Sequence, residues 1–115
     1  MGSTYNPLNA PSYIAGTLTL SAGTVAFLID LIKAQLEPNC PGAALMVNLT
    51  SDTDAVYVGA SNRIAGALSA ANYGYKLDGG GSSYKCSTGA GNSAPIADIQ
   101  LLCASQATLH VEIFS

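Results

Sequence analysis

Hydrophobic and polar residues alternate along most of the chain, and polar turns interrupt the alternation at short intervals. The alternation is clearest at Gly16–Ser21 and Thr108–Phe114, and a period of two residues is typical of a strand with one buried face. The other predicted strands are Ala44–Leu49, Ala55–Gly59, Tyr73–Leu77, Ser82–Cys86 and Ile96–Ala104, with Arg63–Leu68 as a weaker candidate. Such short strands between turns predict a mainly β fold, a single β-sandwich or barrel that is jelly-roll-like.

Turn sequences are expected to connect the predicted strands. Asp78-Gly-Gly-Gly is the strongest turn signal in the chain, and Ser87–Pro95 reads as a flexible loop of Gly, Ser and Asn. Ile96–Ala104 is expected to pair with Thr108–Phe114 across the short turn that begins at Ser105.

One segment has a helical period instead. Within Val25–Leu36 the apolar residues form a single stripe that fits a helix. Thr24 can cap the start of this helix, and Glu37-Pro38 ends it because proline cannot continue a helix. The β-branched residues leave a strand open as the alternative for Val25–Ile29. We expect this short helix to be the only one.

The N-terminal segment lacks an apolar period. Residues 1–16 are predicted to form an extended arm, and residues 17–115 a single β-rich domain. The arm either frays in solvent or becomes ordered against a neighbouring subunit. In the second case its candidate interface residues are Tyr5, Pro7, Leu8 and Tyr13.

Charge is scarce. Charged residues make up 10% of the 115 residues, with a net charge of −3 and 49% hydrophobic residues, whereas a soluble domain usually carries about 25% charged residues. Four Lys and Arg residues cannot form the basic cluster that nucleic-acid binding requires. Since no run reaches the roughly 18 apolar residues of a membrane span, we expect neither nucleic acid nor membrane as a partner. The neutral surface is instead expected to be shared with other subunits.

The cysteines and acidic residues indicate no metal or cofactor. Cys40, Cys86 and Cys103 are widely spaced and lack the pairing of a zinc site. They are expected to be reduced, buried thiols, with a Cys86–Cys103 disulfide as the alternative. Asp52 and Asp54 share a turn, where aspartate commonly bonds its own backbone.

Catalysis would depend on the single histidine. His110 and Glu112 alternate with Leu109, Val111 and Ile113, so they are predicted to share the outward face of a strand. No G-x-S-x-G motif accompanies His110. We therefore expect no enzyme and treat His110 as an interface candidate, with a small hydrolase as an alternative that loses activity when His110 is replaced.

The tyrosines are the other interface candidates. Tyr73 and Tyr75 flank Gly74 and are predicted to share one face of a strand, where tyrosine suits protein or sugar contacts. Tyr57 and Tyr84 are expected to pack in the core.

The order of these motifs resembles a family of small virion structural proteins of tailed phages and prophages, of the capsid decoration or head-fibre kind. The resemblance covers about residues 17–115 and departs from the family in the short turn Ser51-Asp-Thr-Asp and in the Gly-rich loop after Cys86. It rests on Leu28-Ile-Asp-Leu-Ile, Ala44-Leu-Met-Val, Val56-Tyr-Val-Gly-Ala-Ser-Asn, Asn72-Tyr-Gly-Tyr-Lys-Leu, Asp78-Gly-Gly-Gly-Ser-Ser-Tyr, Ile99-Gln-Leu-Leu and Leu109-His-Val-Glu-Ile.

The resemblance implies a non-enzymatic decoration, or cement, protein that binds and stabilises the capsid lattice. Its expected partner is the major capsid protein or another virion protein, and its expected location is the capsid surface after synthesis in the host cytoplasm. By analogy with decoration proteins on threefold positions, it is expected to form a homo-oligomer, with a trimer favoured. The alternative is a host-surface or glycan-binding β-sandwich module of a phage fibre or tail, with Tyr73, Tyr75 and the Ser87–Pro95 loop touching glycan.

Overall fold

The structure of the chain is a computed structural model, and it describes residues 13–40, 42, 46–51, 54–61, 64–87 and 96–114. Tyr5, Pro7, Leu8 and the predicted loop at 88–95 lie outside these residues. The described elements are β1 (Ile14–Leu20), β2 (Ala26–Phe27), α1 (Leu28–Gln35), β3 (Met46–Ser51), β4 (Val56–Ala60), β5 (Tyr75–Leu77), β6 (Ser82–Ser87), a 3₁₀ turn (Ile96–Asp98), β7 (Ile99–Cys103) and β8 (Ala107–Phe114).

The strands form two four-stranded antiparallel sheets. Sheet 1 has the order β1-β8-β3-β6, and sheet 2 has the order β2-β7-β4-β5. The pairs β1 with β8, β2 with β7, β3 with β6 and β4 with β5 all form, as they do when one long hairpin is wrapped around a barrel. This nested pairing is the jelly-roll topology of two packed sheets. The predicted mainly β, jelly-roll-like sandwich is therefore confirmed.

The core lies between the sheets and follows directly from the alternation in the sequence. In β8 the residues Leu109, Val111 and Ile113 are buried while Thr108 and His110 are exposed, as predicted. The inner residues of the other strands pack against them, and Leu28 and Ile32 of α1 join the same cluster. Burying each of these aliphatic side chains stabilises the fold by about 1.5–3 kcal/mol.

The segment predicted as one helix divides into a strand and a helix. Ala26–Phe27 pair with β7, and the helix occupies only Leu28–Gln35. Thr24 is not the cap, since Phe27 holds the N-cap position without a side-chain hydrogen bond. Both alternatives for this segment are therefore partly correct.

Within the described residues, one predicted strand is absent, and another is shorter than predicted. Residues 64–68 form no strand, and Ile96–Asp98 is a 3₁₀ turn that precedes β7. The start of the domain also moves, because Ile14, Ala15 and Gly16 of the predicted arm belong to β1 and pair with residues 111–113.

The predicted hairpin of the last two strands is wrong. β7 belongs to sheet 2 and β8 to sheet 1, so the turn at Ser105 carries the chain from one sheet to the other. The apolar sides of β7 and β8 both face the core, and each strand is hydrogen-bonded to other strands of its own sheet.

The turn at Asp78–Gly81 is confirmed. Gly79, Gly80 and Gly81 have φ values of 84°, 63° and 89°, a region that glycine enters without steric cost. The turn joins β5 of sheet 2 to β6 of sheet 1.

The expectation of buried thiols is confirmed for Cys40 and Cys103. The Cys103 Sγ atom lies 3.5 Å from the Ser21 carbonyl oxygen. Burial, and secondly the nearby Asp54, raises the pKa of the Cys103 thiol, which keeps it protonated at neutral pH. Because Cys103 is a free thiol, the alternative Cys86–Cys103 disulfide is wrong.

Candidate functional site

The outer faces of the two sheets carry different side chains. We call the outward side of sheet 1 the polar face, and its members are Thr17, Thr19, Asn48, Thr50, Thr108, His110 and Glu112. We call the outward side of sheet 2, with the residues beside it, the apolar face, and its apolar members are Val25, Phe27, Tyr57, Tyr73 and Leu102. Gln100 and Lys76 lie on the same side of the sheet. Each face is a candidate binding surface.

The strand register arranges the polar face in rows. Thr17 and Thr50 both lie opposite His110 on β8, and Ala15 and Asn48 both lie opposite Glu112. The two rows cross β1, β8 and β3 in the same order. They enclose a depression of about 290 Å³, which we call the trough.

The floor of the trough is backbone. Gly16 and Val111 lie opposite each other between the two rows, and their side-chain positions point into the core. A Cβ atom at Gly16 would lie 2.6 Å from Leu36 Cδ2. The inner side of β1 is therefore filled by the residue that follows α1, while its outer side stays open.

Hydrogen bonds fix the Glu112 carboxylate at one side of the trough. The Tyr13 hydroxyl donates to Oε2 over 3.1 Å, and Asn48 Nδ2 donates to Oε1 over 3.1 Å. Tyr13 also packs its ring on Phe114, with 5.0 Å between centroids. The carboxylate is therefore oriented by two neutral donors.

His110 lies in the other row. Its Nδ1 atom is 3.5 Å from Thr17 Oγ1, and its side chain is exposed on the polar face as predicted. The imidazole and the Glu112 carboxylate thus border the same trough from neighbouring rows.

The apolar face is centred on two tyrosines. The Tyr57 and Tyr73 rings lie 4.9 Å apart between centroids, and Lys76 Nζ lies 5.7 Å from the Tyr57 ring centre. Tyr73 is 41% exposed and Val25 is 37% exposed, values that are high for large apolar side chains. Phe27 and Leu102 are half-buried beside them.

Tyr75 lies on the other side of sheet 2 from Tyr73, so the prediction that they share a face is wrong. Tyr75 pairs in register with the buried Val58, and its ring contacts Tyr84 of sheet 1 with 5.4 Å between centroids. The reason is Gly74, which forms a bend and donates its N–H to the Val58 oxygen. The strand alternation therefore begins only at Tyr75.

The Tyr75 and Tyr84 pair borders a cleft at the edge of the sandwich. β5 covers only Val56–Val58 of β4, so the edge beyond Val58 opens into a cavity of about 230 Å³. Ile64 and Ile99 line it with the two tyrosines. Tyr75 is 42% exposed at its mouth.

The free edge of sheet 1 at β1 is partly covered by α1. Gln35 Oε1 accepts from the Thr19 N–H over 2.9 Å, and Gln35 Nε2 donates to the Thr19 carbonyl over 3.0 Å. An open strand edge is a template for pairing with another chain. The Gln35 amide occupies that template at Thr19.

Charge and metal ligands are sparse in the part of the chain that the structure describes. Its one ion pair joins Lys76 Nζ to Asp78 Oδ1 over 3.5 Å. Those residues contain no group of three His, Cys, Asp or Glu side chains placed to hold a metal ion. Within the same residues, none of the helices has the length and apolar character needed to cross a membrane.

The tertiary structure brings together residues that the sequence pattern treated separately. Tyr13 and His110, predicted as candidates in different segments, both lie on the polar face, where Tyr13 bonds Glu112 and His110 occupies the neighbouring row. Tyr57 was expected in the core but forms the centre of the apolar face. Its alternation with the buried Val56 and Val58 was the signal that could have placed it outward.

Comparison of the chain with protein-family models, with curated proteins and with solved structures gave no match.

Proposed function

We propose that this chain is a non-enzymatic structural protein of a phage particle, and that it binds and stabilises the capsid lattice as a decoration protein. The order of its sequence motifs, which resembles small virion proteins, supports the proposal. The jelly-roll topology is consistent with it, since viral capsid and lectin domains use this architecture. In this proposal the protein lies on the capsid surface, is made in the host cytoplasm and has the major capsid protein or another virion protein as its partner.

The observation that carries the proposal is the apolar face. Tyrosine is enriched and lysine is depleted at protein interfaces, and here Tyr57 and Tyr73 stack beside Val25 and Leu102. The Lys76 ammonium group lies over the Tyr57 ring of this pair. Covering the rings and aliphatic side chains of this face removes apolar surface from water, which favours association.

Oligomer formation is a further part of the proposal. Decoration proteins on threefold lattice positions associate as symmetric oligomers, so we propose a homo-oligomer with a trimer favoured. Tyr75 at the mouth of the edge cleft supports it, because the ring offers an apolar body and a hydroxyl to a neighbouring subunit. Sedimentation of the purified chain measures this state directly.

The test is binding to phage particles and location within them. We expect cryo-microscopy of purified particles to place the protein on the capsid surface, and Tyr73→Ser to weaken its binding at least about thirtyfold, as for an interface hot spot. Thr108→Ser on the polar face is the matched control and should bind normally. Density at a tail tip, or full binding by the Tyr73 variant, would contradict the proposal, and the tail position would favour the glycan-binding alternative.

A further inference from the structure

The trough on the polar face is a preformed site whose chemistry the proposed function leaves unused. Neighbouring strands lie about 4.8 Å apart, and residues two positions apart along a strand lie about 7 Å apart. The backbone positions of the two rows across three strands therefore span about 10 by 7 Å, and the depression over them has a volume of about 290 Å³. A depression of this volume is large enough for a ligand the size of one sugar ring.

We propose that the trough binds a neutral carbohydrate, with one sugar ring lying over the two rows. This goes beyond the proposed function and does not rest on it, because capsid attachment is assigned to the opposite face of the sandwich. The protein would then hold the particle with one face and present a sugar-binding face to the outside.

The polar groups of the trough complement hydroxyl groups. Thr17 and Thr50 each offer a hydroxyl that can donate and accept, and the Asn48 amide does both as well. A sugar hydroxyl has the same double capacity. Each group can therefore donate to or accept from a sugar hydroxyl.

Glu112 is the strongest acceptor of the trough. Each of its carboxylate oxygens has about two lone-pair sites, and each accepts one hydrogen bond, from Tyr13 or from Asn48. Both oxygens therefore retain capacity for a sugar hydroxyl, and bonds to a charged acceptor are about twice as strong as neutral ones. The two donors hold the carboxylate in place before a ligand arrives.

The charges of the trough favour a neutral ligand over an anionic one. Among the described residues that line it, none is Lys or Arg and Glu112 is the one carboxylate. An anionic ligand would meet that carboxylate. The remaining polar groups are uncharged.

The site is also rigid. Its side chains stand on β1, β8 and β3, which pair over their whole facing lengths. A site built on paired strands loses little conformational entropy when it binds. Ala15, which lies opposite Glu112 in one row, contributes the smallest side chain of the two rows.

The experiment begins with the purified full chain on an array of neutral, sialylated and sulfated glycans. The best neutral ligand is then titrated into labelled protein, and amide chemical shifts are followed by NMR. We expect neutral glycans to bind and the shifted amides to be those of residues 15–17, 48–50 and 110–112. Binding confined to charged glycans, no neutral binding, or shifts confined to the Tyr75 cleft would each overturn the proposal.

Variants of nearly unchanged shape complete the test. Thr50→Val removes one hydroxyl from the trough and is expected to weaken binding about tenfold, since it leaves a sugar hydroxyl unpaired. Thr108→Val makes the same change on the polar face outside the trough and should bind within twofold of the original. Equal affinities for the two variants would overturn the assignment. Thr50→Val should keep its attachment to particles, which separates this test from that of the proposed function.

Discussion

The inner faces of the two sheets are alike, and the outer faces are not. Both sheets contribute aliphatic residues to one core, such as Leu109 from sheet 1 and Leu101 from sheet 2. Outside, sheet 1 shows Thr, Asn, His and Glu, whereas sheet 2 shows Tyr57, Tyr73 and Leu102 beside Gln100 and Lys76. The fold therefore constrains the inner residues, and the outer residues are left to determine what each face binds.

The side chains of the two outer faces also interact differently. On the polar face, hydrogen bonds connect Tyr13, Glu112 and Asn48 across strands. On the apolar face, Tyr57 contacts neighbouring groups through its ring. Directional bonds suit a ligand that must be oriented, and ring contacts suit a broad protein surface.

The largest expected effect separates the inner from the outer residues of one strand. Leu109→Ala should lower the free energy of unfolding by about 2–5 kcal/mol, because it leaves a cavity in the core. Thr108→Ala, one residue earlier on the outward side, should change it by less than about 0.5 kcal/mol. Urea unfolding of both variants measures the difference, and similar losses would contradict the division between core and face.

A smaller effect tests the contact at the centre of the apolar face. A double-mutant cycle with Tyr57→Leu and Tyr73→Leu should give a coupling of about 0.5–1.5 kcal/mol in unfolding free energy, as for aromatic pairs of this geometry. A cycle with Tyr57→Leu and Thr108→Ala is the control and should show additivity. Additive effects in the first cycle would mean that the two rings act independently.

The smallest effect is a pH dependence of stability that comes from the Tyr13 hydroxyl and the Glu112 carboxylate on the polar face. Partial burial, and secondly the Glu112 carboxylate, raises the pKa of Tyr13 above its ordinary 10.0. The folded chain then binds this proton more tightly than the unfolded chain. The contribution to stability is therefore full below about pH 10 and is lost as the pH rises through the folded-state pKa.

Glu112→Gln should lower the pKa of Tyr13 part of the way toward its ordinary value, because burial of the ring remains. An NMR titration of the Tyr13 ring resonances measures the shift. Thr108→Val should leave the Tyr13 titration unchanged, and an unchanged titration in Glu112→Gln would show that the carboxylate does not act on this hydroxyl.

The sequence predicted most of the strands, but only some of the residues that form the two candidate faces. The alternation in Thr108–Phe114 placed His110 and Glu112 outward, because a strand with one buried face has a local signature. The same alternation was present around Tyr57, which lies between the buried Val56 and Val58 and therefore points outward. Tyr73 could not be placed in this way, because the bend at Gly74 separates it from the alternation of β5.

The helix shows the limit of local patterns. Val25–Leu36 combines a helical stripe with β-branched residues, and both tendencies are realised, as β2 and then α1. Pairing of Ala26 and Phe27 with β7 decides where the strand ends, and this partner lies more than seventy positions away. No window of neighbouring residues contains that information.

The sequence by itself determined which residues are buried within each strand, the glycine turn at Asp78–Gly81 and the scarcity of charge on the surface. Only the tertiary structure decided which strands are neighbours. It sends β7 and β8 to different sheets, and it brings Thr17 beside His110, 93 positions later in the chain. The physical reason is that alternation is a local property, whereas the choice of a partner strand depends on how distant apolar faces bury one another.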